Sequence, residues 1–160
     1  MFLDVIKQKK IFFIFTVVFV TFDQIAKFII LAKFPFGEKI PVFGDIFSIS
    51  YATNTGAAFG IFKGQNDFFI FFSLFFLAFI IGYVLYKKNL EIILQISLSF
   101  IVSGTIGNLI DRILRGYVID FFDLKYFSVF NTADVLINIG VISLIYKVFI
   151  LDNNKTQEKK

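Results

Sequence analysis

The chain has 160 residues, of which 58% are hydrophobic and 26 are Phe, and its formal net charge is +4. A mean hydropathy of +0.82 is far outside the range of soluble domains, so composition alone reads as a multi-span membrane protein. There is no Cys and no His, which excludes disulfides, thiolate catalysis, Ser-His chemistry and the usual zinc ligands. Any chemistry falls to Asp, Glu, Lys, Ser, Thr or Tyr, with no metal or other cofactor expected, and no aromatic-interleaved basic run points to nucleic acid.

A membrane-spanning helix requires about 20 mostly apolar residues. The first window that qualifies is 11–32, IFFIFTVVFVTFDQIAKFIILA. Basic Lys7, Lys9 and Lys10 precede it as in a signal peptide, but the run is too long and no A-x-A site follows, so a retained helix is expected. The segment 33–67 comes next. Its IFSISY stretch alternates Phe47, Ile49 and Tyr51 with Ser48 and Ser50, the period of a half-buried strand. A small sheet at the outer membrane surface is expected there. The second window, 68–86, carries no charge, and the third, 90–110, has only Glu91 at its start. A short loop, 112–126, is expected before the fourth window, 127–151. These limits predict one four-span domain over 1–152 and a polar tail over 153–160.

Orientation follows from Lys and Arg near the helix ends. With the N-terminus inside, nine basic residues fall on the inner side and six on the outer, and Lys27 lies within the membrane. Both termini are then cytoplasmic.

Ionisable groups at membrane depth are costly and usually face the protein interior. Here they gather towards the outer side. Asp23 and Lys27 share a face of the first helix at i and i+4, as expected of a structural ion pair. Asn108, Asp111 and Arg112 close the third helix, where Asp111 and Arg112 read as a helix-end salt bridge. Asn131, Asp134 and Asn138 share a face of the fourth, with Asn131 and Asn138 read as interhelical hydrogen-bonding groups. Gly104 and Gly107 permit close helix packing. Asp123 lies near Lys125 and reads as a loop charge. Asp120 and Asp134 stand apart, because neither has a basic residue at i±3 or i±4. They are either a catalytic or ion-binding pair, or they have structural partners remote in sequence. If they meet, two close carboxyls cannot both ionise cheaply, and one retains a proton near neutral pH. Such a pair supports hydrolysis by general acid and base. A proton- or cation-coupled carrier using the same carboxylates is the alternative, although the chain has no internal repeat of the transporter kind.

The ordered motifs FDQIAK (Phe22 to Lys27), NTGAAFG (Asn54 to Gly60), GNLIDR (Gly107 to Arg112) with VIDF (Val118 to Phe121), and FNTADVLINIG (Phe130 to Gly140) resemble those of the lipoprotein signal peptidase (signal peptidase II) family. The resemblance covers essentially the whole chain. It implies an all-α membrane protein of four transmembrane helices, with a small extracytoplasmic β-cradle between the first two. It implies an aspartic endopeptidase of the bacterial plasma membrane that removes the signal peptide of a prolipoprotein before a diacylglyceryl-modified cysteine. Asp120 and Asp134 match the family's catalytic aspartates. Asn54, Gly56, Asn108, Arg112 and Asn131 match positions that shape the pocket and bind substrate, and Asp23 and Lys27 match supporting positions. The resemblance further implies contact with membrane lipid, inhibition by globomycin-type cyclic peptides, and an active site at the extracytoplasmic face.

Overall fold

The computed structural model describes residues 8–56, 62 and 64–151. Lys7, Lys63, the Ala57–Gly60 part of NTGAAFG and the tail after 151, with its three lysines, lie outside the described residues. Among the described residues, four helices are long and apolar enough to cross a membrane. In chain order the elements are α1 (Lys10–Lys33), β1 (Lys39–Phe43), β2 (Phe47–Asn54), α2 (Asn66–Tyr86), α3 (Ile92–Arg115), β3 (Val118–Leu124) and α4 (Thr132–Tyr146), which continues into a π-helical turn, Lys147–Leu151. At about 1.5 Å per residue, α1 and α3 each extend for roughly 36 Å, enough for the hydrocarbon core.

Helix α3 is the hub. Its apolar window is the least hydropathic of the four, yet 67% of it is buried, against 17–22% in the others. The reason lies in its small and hydroxylated residues. Ser97, Ser99, Ser103 and Thr105 return their hydroxyls to carbonyls of their own helix at 2.7–3.0 Å, so they can be buried without a partner on another helix. A Cβ on Gly104 would collide with the Ala133 carbonyl, and one on Gly107 with the Asp23 carboxylate. Gly140 of α4 meets the Ser97 carbonyl in the same way, at 2.7 Å. Small residues therefore bring α1 and α4 against α3, as expected where packing rather than the hydrophobic effect joins helices. The other faces carry exposed Phe28, Phe71, Phe75 and Phe79, suited to lipid.

The helix ends differ from the sequence limits in ways that matter for the site. α1 stops at Lys33 because Pro35 forces Phe34 into extended backbone (φ −113°, ψ 123°). α3 runs past 110 to Arg115 and ends on Gly116 in the left-handed region (φ 80°). Asp111 and Arg112 thus lie inside its last turns. α4 begins at Thr132, not 127, where Asn131 and Asp134 form a reciprocal capping box.

The sheet has three antiparallel strands in the order β1-β2-β3. It is larger than expected, since β3 comes from the stretch read as a loop between the third and fourth helices. VIDFFDL has no apolar-polar alternation because both its faces are covered: Val118, Ile119, Asp120 and Phe121 are all buried. Ser48 and Ser50 of β2, expected on an open face, are buried as well. Ile49 and Tyr51 pack with Ile30, Ile119 and Phe121 in an apolar cluster between the sheet and α1. A second, larger cluster, including Leu77, Val84, Leu98 and Val102, lies among the helices. A register shift between Ile49 and Ala52 brings Ala52 opposite Asp120.

Candidate active site

A cavity of about 620 Å³ opens where β3, the start of α4 and the C-terminal end of α3 meet. Asp120 reaches it from β3, and Asp134 from the first turn of α4. Asn131 joins them. Its side-chain amide donates to Asp120 Oδ1 at 2.6 Å, its main-chain N–H donates to Asp134 Oδ2 at 3.1 Å, and its Oδ1 accepts from the Asp134 N–H at 3.1 Å. The remaining oxygens are also held. Asp120 Oδ2 accepts from Asn54 at 3.0 Å and Asp134 Oδ1 from Asn108 at 2.9 Å. Among the described residues neither aspartate forms an ion pair.

Behind this pair lies a buried charge network. The Lys27 ammonium contacts Asp23 and Asp111 at 2.9 Å each and donates to Asn108 Oδ1 at 3.0 Å, so all three of its protons have acceptors. Asp111 also accepts from Arg115 at 2.8 Å and from the Ile119 N–H at 3.3 Å, tying α3 to β3. The Thr132 hydroxyl donates to Asp23 and ties α4 to α1. Asn108 is oriented from this side. Its oxygen faces Lys27 and the Asn131 amide (3.2 Å), which leaves its NH₂ for Asp134.

Asp120 is 3% exposed. Burial, then the nearby Asp134 charge, pushes its carboxyl up to about 7, against the opposing hydrogen bonds from Asn131 and Asn54. Near neutral pH it is therefore poised between acid and carboxylate, the range in which a group can both hold and release a proton during a reaction.

The family model described as signal peptidase (SPase) II matches residues 15–150. The chain belongs to the signal peptidase II family. It is accordingly a multi-pass bacterial membrane protein and a peptidase. It is 42% identical over 143 residues to the lipoprotein signal peptidase of Clostridium tetani (strain Massachusetts / E88), covering 86% of this chain and 90% of that protein. It is 37% identical over 133 residues to that of Halothermothrix orenii (strain H 168 / OCM 544 / DSM 9562), covering 83% and 91%. Among solved structures it resembles a bacterial membrane enzyme determined by the in meso method at 2.3 Å resolution, with a TM-score of 0.82 and 32% identity over 93% of this chain and 91% of that one. A second such structure, at 1.9 Å, gives a TM-score of 0.79 at 31% identity, over 87% and 92%. Four apolar helices with a small antiparallel sheet are thus the architecture of this signal peptidase II family member.

Of the family motif positions, Asn54, Gly56, Asn108 and Arg112 line the cavity with the two aspartates, while Asn131, Asp23 and Lys27 are buried behind it. Several pairings differ from those read along the sequence. Asp111 pairs with Lys27 and Arg115 instead of Arg112, because on a helix neighbours in sequence point about 100° apart. Asn138 does not cross to another helix; it is exposed and donates to the Asp134 carbonyl one turn back. Asn131 is a helix cap and a bridge between aspartates. Asp123 pairs across the sheet with Lys39 at 2.8 Å, while Lys125 faces Asp45 at 3.9 Å. Phe69 of α2 also lines the cavity. Nothing in the sequence distinguishes it from the other Phe of α2.

Proposed function

We propose that this protein removes the signal peptide from bacterial prolipoproteins by cutting before a diacylglyceryl-modified cysteine, with water activated between Asp120 and Asp134. The observation that carries this reading is two carboxyls without basic partners, lining one cavity and bridged by Asn131. In this reading Asp120 holds the proton near neutral pH and Asp134 accepts one from water. The water oxygen attacks the peptide carbonyl carbon as Asp120 protonates the carbonyl oxygen, giving a tetrahedral intermediate and no acyl-enzyme. Asp134 then delivers its proton to the leaving nitrogen as the C–N bond breaks, and Asp120 recovers a proton from the collapsing hydroxyl. Asn54 and Asn131 orient Asp120, Asn108 orients Asp134, and Gly56 and Arg112 lie where substrate backbone would pass. Asp23 and Lys27 support the pair through Asn108.

The chemistry of the cavity suits a lipidated peptide. Beside its polar groups the lining is largely apolar, with Val135, Ile139 and Ile142 along α4 and Val129, Phe127 and Phe130 before it. Burial of an acyl chain is worth about 0.8 kcal/mol per CH₂. In this reading the termini are cytoplasmic, the sheet and site are extracytoplasmic, and globomycin-type peptides compete for the same cavity. The test is a gel-shift cleavage assay with a diacylated prolipoprotein, with and without globomycin. Asp120→Asn and Asp134→Asn should each reduce cleavage to background while the purified proteins keep the wild-type melting temperature within a few degrees. Near-normal turnover by either variant, or ion flux in proteoliposomes without proteolysis, would remove the dyad from the reading.

A further inference from the structure

Arg112 is buried, at 9% exposed, yet among the described residues it forms no ion pair. One donor, Nη2, reaches the Gly56 carbonyl at 3.1 Å, while Nε is buried with no hydrogen-bond partner among the described residues. The guanidinium carbon of Arg112 lies over the Phe69 ring, 4.8 Å from its centroid. Asn66, one turn before Phe69 on α2, donates to the Arg112 carbonyl at 3.3 Å. Phe69 and Arg112 both line the cavity that holds Asp120 and Asp134.

A planar guanidinium presents five N–H donors in its own plane and only π density above and below it. A carboxylate beside it would take two of those donors and fill the edge. An aromatic face attracts the cation from above and leaves every in-plane donor open. Held over Phe69 and bonded through Nη2 to Gly56, the guanidinium keeps a defined position and, among the described residues, an unmet need for acceptors. A peptide carbonyl oxygen meets that need, and the substrate class proposed above supplies several.

We infer that Phe69 is a positioning residue for substrate binding: its ring holds the Arg112 guanidinium at the cavity wall, so that the donors of Arg112 not used by Gly56 meet a carbonyl of the substrate peptide. This rests on the proposed peptidase reading and adds to it a binding contribution from α2, the helix that supplies no ionisable group to the site. Because the ring acts through Arg112 and not on the reacting atoms, its loss should appear in KM and not in kcat.

The test is steady-state cleavage of a diacylated prolipoprotein by wild type, Phe69→Leu, Phe69→Trp and Phe79→Leu. Phe79 lies on the same helix, is 68% exposed and serves as the packing control. Phe69→Leu should raise KM roughly five- to thirtyfold with kcat within twofold, as expected for loss of one cation–π contact. Phe69→Trp should restore KM to within about threefold of wild type, and Phe79→Leu should leave it unchanged. Should the Leu variant fail to fold, Phe69→Met makes the same comparison, keeping bulk without an aromatic face. A fall in kcat at constant KM, failure of Trp to rescue, or an equal shift in Phe79→Leu would overturn the role of Phe69. Wild-type protein that leaves the substrate uncut would instead overturn the peptidase reading and this inference with it.

Discussion

The side-chain amide of Asn131 lies 2.6 Å from Asp120 Oδ1, across from strand β3, while the same residue caps the helix that carries Asp134. One asparagine thus fixes the relation between two carboxyls that arrive on different elements. Its two tasks can be separated by substitution. Asn131→Ser keeps an N-cap hydroxyl but is too short to reach Asp120; it should melt within a few degrees of wild type and lose at least about 100-fold in turnover. Asn131→Ala should lose turnover equally and about 1 kcal/mol of stability as well. Melting curves and cleavage rates measured on the same preparations check both. If Asn131→Ser keeps wild-type turnover, the bridge to Asp120 is not needed.

The Asp120 carboxyl, held up to about 7 by burial and by Asp134, has a signature in pH dependence. A folded value above the unfolded 3.8 means that the folded state binds the extra proton, so this group's contribution is fully present below that value and is lost as pH rises from there through about 7. In the proposed mechanism its acid form is also the one that protonates the carbonyl. Turnover should therefore decline with rising pH with a midpoint near 7, belonging to the pair and not to one residue. A kcat profile flat from pH 6 to 9 would remove Asp120 as the acid.

Lys27 neutralises Asp23 and Asp111 where none of the three is exposed. Lys27→Met leaves Asp23 with no cation and Asp111 with Arg115 alone, and breaking a buried pair in this way costs roughly 3–5 kcal/mol. A large drop in melting temperature in detergent is expected. The combined Lys27→Met, Asp23→Asn, Asp111→Asn protein should recover part of it, and no recovery would show that the network is not stabilised by charge pairing.

Close helix contact predicts a graded glycine series. Gly107→Ala drives a methyl group into the Asp23 carboxylate, and Gly104→Ala into the Ala133 carbonyl, whereas at Gly82 nothing lies within 4 Å. The first two should each destabilise by about 1–3 kcal/mol, and Gly82→Ala should be neutral or slightly stabilising. Equal effects at all three positions would contradict the packing.

Hydropathy made the four spans legible because a bilayer demands about 20 apolar residues regardless of what those residues touch. Local spacing likewise brought out Asp23 with Lys27, the glycines of α3 and the Ser48–Tyr51 strand. The failures share one cause. VIDFFDL carries no alternating pattern, since it is covered on both faces by partners far away in the chain, and so it read as a loop. Asp111 read as a partner of Arg112 because adjacency was visible and the Lys27 ammonium, on another helix, was not.

The sequence by itself determined a membrane-spanning chain, the absence of His and Cys chemistry, and the concentration of its carboxylates and asparagines towards one end of the helices. Each of these is a property of residue type and position along the chain. Only the tertiary structure decided which carboxylates are neutralised and which are not. It assigned Lys27 to Asp23 and Asp111, left Asp120 and Asp134 to amide donors, and set Arg112 over Phe69. Hydrogen bonds and ion pairs act over a few ångströms in space, and residues that meet at that range here, such as Asn54 and Asp120, are separated by whole helices in sequence.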